Sequence, residues 1–510
     1  MTNAVSAFLD DRIAAGQGDR TAIVTPRRTF TYRELLALSC RAGNALRNLG
    51  VEPEQRVALA LPDGIDFTAL FFGALRIGAV AVPLNTRLRP EQHAALLRDS
   101  GAKVLVCGAG IADAMRPLRA ELPRLRAVVA AGEAAGLPAL DELLARASPD
   151  LNPEPVSPDD MAFWLFTSGT TGSPKGAVHL HRDLFACHHY GFEVLGVNEN
   201  DIVFATSRLF FAYALGNALL IPLRAGAQVF LHPDWPEPAS LARVMAHARP
   251  TILFSVPTFY ARILRAELPR DAFRSLRFAV SAGERLPGEL YRAFGERHGV
   301  EILDGIGATE TVFMVLSNRP GQSRPDSTGT AVPGTEVRLL DAEGREVAPG
   351  EQGVLHVKTP SASPCYWNRV EHSQRTFANG WFRTGDVYTR DADGFYSHCG
   401  REDDFFKVAG MWVCPSEVEM VMLSHPGVAE AAAVGIEESS GLVKCFAFVV
   451  PKNSNGSKEE LLAELSGLAE RRLAPHQRPR RIAMVADLPR TATGKLQRFV
   501  LRDRFARDAA

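Results

Sequence analysis

The sequence predicts an α/β protein. A large N-terminal domain of helix-flanked, parallel-type sheets is closed by a small β-barrel-like unit, and a compact α+β domain follows it. Three observations predict this. A chain of 510 residues exceeds what one hydrophobic core usually organises. Residues 1–400 alternate short apolar runs with amphipathic helical stretches, the pattern of strands covered on both faces by crossover helices. At the charged run Arg401-Glu402-Asp403-Asp404 the texture changes and a second unit begins.

The elements follow in order. RVALALP (56–62) reads as a strand, 66–78 as a helix and AVAVPL (79–84) as the next strand. Arg76 interrupts the apolar stretch from Phe67 to Leu84 and Asp66 precedes it, so a buried helix running into a strand is expected there and a membrane span is not. TILFSV (251–256) and RFAVSAG (277–283) are strands, each leading into a helix, the second at 287–298. From about 326 to 400, segments such as EVRLLDAEG and GVLHVKT are short strands with turns. In the second unit, 415–428 is a helix with Val418, Val421 and Met422 on one face. AAAVG, KCFAFVV and RIAMVA are strands, and 457–474 is a helix.

Bulk properties narrow the function classes. A formal net charge of -1 gives no electrostatic case for nucleic acid or an anionic membrane as partner. The seven cysteines are odd in number, scattered and without a CxxC pair, which fits neither a disulfide framework nor a zinc site. A reducing compartment suits them, and MTNAVSAFLDDRIAAG lacks the basic start and apolar core of a secretory signal, so a cytoplasmic location is expected.

Four segments carry chemistry. Thr167-Ser168-Gly169-Thr170-Thr171-Gly172-Ser173-Pro174-Lys175-Gly176 follows the buried-strand run AFWLF. Glycines and small hydroxyl residues there let backbone N–H groups and hydroxyls wrap phosphate oxygens, with Lys175 adding positive charge. The spacing is not that of a Walker A loop. Asp304-Gly305-Ile306-Gly307-Ala308-Thr309-Glu310 offers bare backbone against which a ligand ring can lie, and Glu310 offers a hard carboxylate of the kind Mg²⁺ accepts. Trp381-Phe382-Arg383-Thr384-Gly385-Asp386 permits two readings, a ribose-binding aspartate and a turn aspartate capping its own backbone. Pro489 to Arg498 holds Gly494-Lys495, a lysine able to neutralise developing negative charge or to sit in solvent.

In this order and register, the four segments resemble the acyl-adenylate-forming superfamily, which includes acyl- and aryl-CoA synthetases. The resemblance runs from FTYRELL (30–36) to the Gly494-Lys495 loop. LFFAYALGNALLIPLRAGA (209–227), the form DGIGATE and LSNRPG (316–321) are most similar to the benzoate-CoA ligase group.

The resemblance implies an ATP-dependent acid–thiol ligase with Mg²⁺ as cofactor and coenzyme A as acceptor. An acyl carrier protein acting in trans is the alternative acceptor. Rivals of another class are a non-AMP-forming ATPase or kinase and a catalytically silent binding protein. A monomer or homodimer is expected. Thr167, Ser168, Gly169, Thr170, Thr171, Gly172 and Lys175 would hold the ATP phosphates. Thr309 and Glu310 would serve the α-phosphate and Mg²⁺, and Asp304, Gly305 and Ile306 the nucleotide. Asp386, assisted by Arg401, would bind the ribose, and Lys495 would bridge carboxylate and phosphate oxygens. Residues 1–400 would be the adenylation core, 401–404 a hinge centred on Asp403, and 405–510 a mobile lid whose loop around Gly410 faces the second half-reaction.

The acid would lie near Phe211, Ala212, Tyr213, Ala282, Gly283, Gly305, Ile306, Phe313 and Met314, which suits a small aromatic or alicyclic carboxylic acid. Amino-acid-activating relatives carry an aspartate where this chain has Ala212, so an α-amino acid would bring an unpaired buried charge. Benzoate ligases have His-Ile where this chain has Phe313-Met314, which makes that wall more apolar.

Overall fold

The computed structural model describes residues 3–167, 174–438, 441–452, 457–490 and 496–508. It divides into two compact units, Met1–Val337 with His356–Arg383, and Arg338–Leu355 with Thr384–Ala510.

The first unit contains two large sheets. In the six-stranded one, Ala127–Ala131, Val104–Gly108, Arg56–Ala60, Val80–Pro83 and Met161–Thr167 run parallel, and Lys175–Leu180 returns antiparallel along the last of them. The nine-stranded sheet is parallel through Ile202–Ala205, Ile252–Ser255, Phe278–Ser281 and Ile302–Gly307, then turns antiparallel at Met314–Ser317.

The apolar run from Phe67 is a buried helix, Ile65–Arg76, leading into the strand Val80–Pro83. It lies against the helix Tyr32–Asn48, which begins at a Thr31/Glu34 capping box. The two backbones approach so closely that a Cβ on Gly73 would stand 2.7 Å from the Ser39 carbonyl oxygen. Arg76, the charge within this run, is 4% exposed and makes two hydrogen bonds of 2.8 and 2.9 Å to Asp10. A buried guanidinium is tolerated because it is paired. No helix among the described residues is long and apolar enough to cross a membrane.

The short strands expected between 326 and 400 form a five-stranded sheet of Glu336–Leu340, Gly353–Lys358, Trp381–Arg390, Phe377–Ala378 and Tyr396–Arg401. The second unit holds a three-stranded sheet, with Val428–Glu437 antiparallel and Arg481–Met484 parallel to the central Val443–Pro451. The helix Pro415–Leu423 buries Val418 and Met422 against it, with Val421 half-buried. A small hairpin, Phe406–Val408 with Met411–Val413, turns through Ala409 and Gly410, both at positive φ (52° and 81°). Two such residues make the tight turn that matches strand twist.

Candidate active site

The antiparallel pair Met161–Thr167 and Lys175–Leu180 brings Thr167 opposite Lys175. The residues between them that were assigned to phosphate binding, Ser168, Gly169, Thr170, Thr171 and Gly172, lie outside the described residues. Beside the described end of the hairpin runs the segment 363–367. It is laid along the outer strand by Val178 N–H to Cys365 O (3.1 Å), Trp367 N–H to Gly176 O (2.8 Å) and the Ser363 hydroxyl to Val178 O (2.7 Å). This brings the Tyr366 ring to 5.3 Å from Lys175 Nζ, which also donates to His372 Nδ1 at 3.4 Å. The Tyr366 hydroxyl donates to Glu310 Oε1 at 2.6 Å.

Glu310 ends the segment that begins at Asp304, and it is 8% exposed. Its carbonyl accepts from Ser363 N–H at 2.7 Å, and the preceding carbonyl, of Thr309, is 2.9 Å from His179 Nε2. The following turn places Val312 at φ 60°, a costly conformation for a β-branched residue. The Thr311 side chain ties this turn down, accepting from Ala308 N–H at 3.0 Å and donating to Phe313 O at 3.0 Å.

Three and four residues beyond Glu310 stand Phe313 and Met314, each 3% exposed. Gly307 lies so close to them that a Cβ there would stand 2.6 Å from the Phe313 carbonyl oxygen. Gly216 approaches from the segment after Phe211, where a Cβ would come within 2.8 Å of Val312 O. Ala212, Ala282, Phe313 and Met314 all belong to the main hydrophobic core, with Tyr213 packed against it. Gly283 follows Ala282 at φ 86°, a conformation suited to glycine. Phe211 and Ile306 keep part of their surface open. Phe210 is core: it is 5% exposed and packs on Phe211 and Trp235.

The Tyr213 hydroxyl lies 2.9 Å from Ser255 O and 3.0 Å from Val280 O, so its one proton is engaged by backbone. Burial pushes that phenol well above its usual range. Asp304 stands in register with Ser281 on the neighbouring strand, and its Oδ1 is buried without a hydrogen-bond partner. Burial raises its carboxyl well above the ordinary value, and the Ser281 and Thr328 side chains lower it by less. The loop leading to Phe211 is anchored from below. Asp63 Oδ1 accepts from Leu209 N–H at 3.1 Å, and its other oxygen is 3.4 Å from Arg208 Nε in a buried ion pair.

In the second unit, Asp386 and Arg401 face each other across two antiparallel strands. Arg401 Nη1 is 3.1 Å from Asp386 Oδ1 and 2.9 Å from Thr384 O, and His398 Nε2 is 3.5 Å from the same carboxylate oxygen. Gly385, at φ 73°, has Arg401 so near that a Cβ would meet Nη2 at 3.1 Å. Asp403 lies in the single turn Glu402–Asp404. Lys407 Nζ sits 4.6 Å from the exposed Trp412 ring, on the hairpin that turns at Gly410. Lys495 lies outside the described residues. On either side of it, Gln497 N–H donates to Pro489 O at 2.8 Å.

Sequence reasoning missed Tyr366, His372, His179, Asp183 and the Asp63–Arg208 pair. His179 and Asp183 did leave a signal, an i,i+4 spacing just after the glycine-rich loop. Tyr366 left none, because its partner is 56 residues away in the chain.

Among the described residues no group of three or more His, Cys, Asp or Glu side chains could hold a metal ion unaided. The family described as AMP-binding enzyme matches residues 10–367, and AMP-binding enzyme C-terminal domain matches 417–495. The benzoate–CoA ligase of Thauera aromatica is 41% identical over 504 residues, covering 98% of this chain and 95% of that protein. The crystal structure of an anthranilate CoA ligase in complex with anthranoyl-AMP superposes with TM-score 0.93 at 37% identity, covering 99% of this chain and 98% of that one. A benzoate CoA ligase from Burkholderia xenovorans LB400 gives TM-score 0.91 at 39% identity, covering 98% and 100%.

Proposed function

Because this chain belongs to the AMP-binding enzyme family, and matches a benzoate–CoA ligase along nearly all of its length, we infer that it is an ATP-dependent, AMP-forming aryl-CoA ligase. The observation that carries the reading is the short step from Glu310 to Phe313 and Met314. Glu310 is hydrogen-bonded to Tyr366, whose ring lies by Lys175, and within four residues the chain enters the apolar core at Phe313 and Met314, which supports an acid site beside the phosphate site.

The reaction proceeds in two displacements. A carboxylate oxygen of the acid attacks the α-phosphorus of ATP, the bond to the β-phosphate breaks and pyrophosphate leaves. The thiol sulfur then attacks the acyl carbon, the acyl–oxygen bond breaks, AMP leaves and the thiol proton passes to solvent. Both steps bring anionic or electron-rich groups together, so alignment and fixed positive charge are what the protein must supply.

Lys175, together with the hydroxyls and amides of 167–172, takes the phosphates in this proposal. Glu310 fits Mg²⁺ in the way that ion is usually held, by one or two carboxylates plus substrate phosphates, and no ready-made protein cage exists among the described residues to hold it otherwise. Bound there, Mg²⁺ neutralises charge on the phosphoryl oxygens. Tyr366 orients the Glu310 carboxylate. Asp304, with Gly305 and Ile306, serves the nucleotide. Asp386, with one oxygen already held by Arg401, accepts from the ribose hydroxyls. Lys495 bridges carboxylate and phosphate, Asp403 is the hinge, and the Gly410 hairpin serves the thiol step. A reducing, cytoplasmic setting is part of this reading, since seven scattered cysteines without a CxxC pair suit it.

The acid is benzoate or a benzoate with apolar substituents. Among Phe211, Ala212, Tyr213, Ala282, Gly283, Gly305, Ile306, Phe313 and Met314, only Tyr213 carries a side-chain donor, and backbone carbonyls engage it. A ring hydroxyl would lose its water without replacement.

The test mixes purified protein with MgATP and a panel of aryl, heteroaryl and alicyclic acids, and measures AMP with and without coenzyme A. AMP release dependent on both acid and coenzyme A is the expected result. Acid-dependent pyrophosphate exchange with no response to coenzyme A would move the acceptor to a carrier protein, and ADP as product would overturn the reading.

A further inference from the structure

Glu310 is held at three points. Tyr366 binds its side chain, Ser363 binds its carbonyl, and the third tether is on the peptide before it, where His179 Nε2 meets Thr309 O at 2.9 Å. The first two come from one segment, 363–366. The third comes from the strand Lys175–Leu180, which also carries Lys175.

The His179 ring is fixed on every side. It stacks on Phe163 with centroids 4.8 Å apart and an interplanar angle of 19°. Its Nδ1 lies 3.2 Å from Asp183 Oδ2, an oxygen that also accepts from Leu180 N–H at 3.0 Å. The two side chains are 0% and 1% exposed, so water cannot stand in for either partner. A carbonyl only accepts, and Nε2 must therefore carry a hydrogen. Nδ1 faces the Asp183 carboxyl, which holds the ring by its other nitrogen. Such an arrangement locks both the tautomer and the orientation of the imidazole.

We propose that His179, oriented by Asp183, is a positioning residue for the metal–phosphate end of the site. It fixes the Thr309–Glu310 peptide so that the Glu310 carboxylate is presented to phosphate-bound Mg²⁺. This rests on the reading of Glu310 as the metal-facing carboxylate. The pair acts through the peptide and touches no reacting atom.

The test is calorimetric binding of ATP to the full-length protein in the presence of Mg²⁺ and in EDTA, alongside thermal unfolding. His179→Phe combined with Asp183→Leu removes both polar partners together. It keeps the stacking on Phe163 and leaves no buried unpaired charge, while the Leu180 N–H and the Thr309 carbonyl lose their side-chain partners, a cost that thermal unfolding reads separately from binding. Tenfold or more weaker binding of MgATP, with metal-free ATP binding unchanged, is expected. His179→Gln, which keeps an N–H near the Nε2 position, should stay within about threefold of the parent.

Equal weakening with and without Mg²⁺, or no change at all in the double variant, would overturn the proposal. Glu310→Gln separates the two levels of inference. If it loses the Mg²⁺-dependent part of binding while the double variant keeps it, His179 has no positioning role. If Glu310→Gln itself keeps full Mg²⁺ dependence, the assignment of Glu310 fails, and the proposal falls with it.

Discussion

The Tyr366 hydroxyl donates to Glu310 Oε1 across 2.6 Å, joining an edge segment to the turn that ends in Glu310. Hydrogen bonds to charged groups are worth about 1.5–3 kcal/mol. Tyr366→Phe should therefore lower kcat/KM for MgATP by about 10- to 100-fold. Half-saturation by Mg²⁺ should move upward as well. Steady-state kinetics at varied Mg²⁺ check this, and an unchanged Mg²⁺ dependence would detach Tyr366 from the metal end.

Phe313 and Met314, the residues proposed to face the acid, are buried and apolar and carry no side-chain donor for a ring substituent. Benzoate should exceed its hydroxylated analogues in kcat/KM by about 10- to 100-fold, the range over which an apolar pocket rejects an added hydroxyl. Phe313→His should narrow that ratio by restoring a donor. Competition assays with paired acids measure it directly.

The loop that carries Phe211 depends on the buried Asp63–Arg208 pair. Asp63→Ala would strip Arg208 of its carboxylate and leave three backbone carbonyls to hold the guanidinium. Removing one partner of a buried pair costs about 3–5 kcal/mol, and the remaining carbonyls place this case at the lower end. Denaturant unfolding should show the loss, with a raised KM for the acid in the surviving enzyme.

His181 is 1% exposed, and burial pushes its pKa down to about 4 from 6.5. Between those values the unfolded chain binds the proton more readily than the folded one, so stability rises with pH across the window and is lost as pH falls through it. The full effect is roughly 3 kcal/mol. His181→Gln should flatten that part of the stability profile between pH 6.5 and 4, as read by unfolding midpoints at a series of pH values.

Asp386, with Arg401 and His398 arranged around one oxygen, is assigned to the ribose. Asp386→Ala should weaken ATP binding about tenfold or more while changing 2′-deoxy-ATP binding much less, because the deoxy sugar has fewer hydroxyls to lose. Parallel affinity measurements with the two nucleotides distinguish this from a general loss of fold.

The order of elements was legible from period and punctuation. The strand at 56–60, the buried helix after it and the strand at 80–83 follow from continuous apolar runs, and Arg76 was correctly no obstacle. The antiparallel return of Lys175–Leu180 was not read, because a strand's direction depends on which neighbour it pairs with.

What the sequence by itself determined was the chemistry at the ends of its strands. A run of hydroxyls and glycines leads to Lys175, a carboxylate lies at Glu310, and the apolar pair Phe313-Met314 follows it. These are properties of residue type and local spacing, and they are carried in consecutive positions. Only the tertiary structure decided who holds whom. Tyr366 reaches Glu310, His179 reaches the Thr309 carbonyl, and Asp63 reaches Arg208 and Leu209, across separations of 56, 130 and about 145 residues. Hydrogen bonds act over about 3 Å of space and are indifferent to distance along the chain. The groups that orient a site therefore become visible only when the sheets have brought them together.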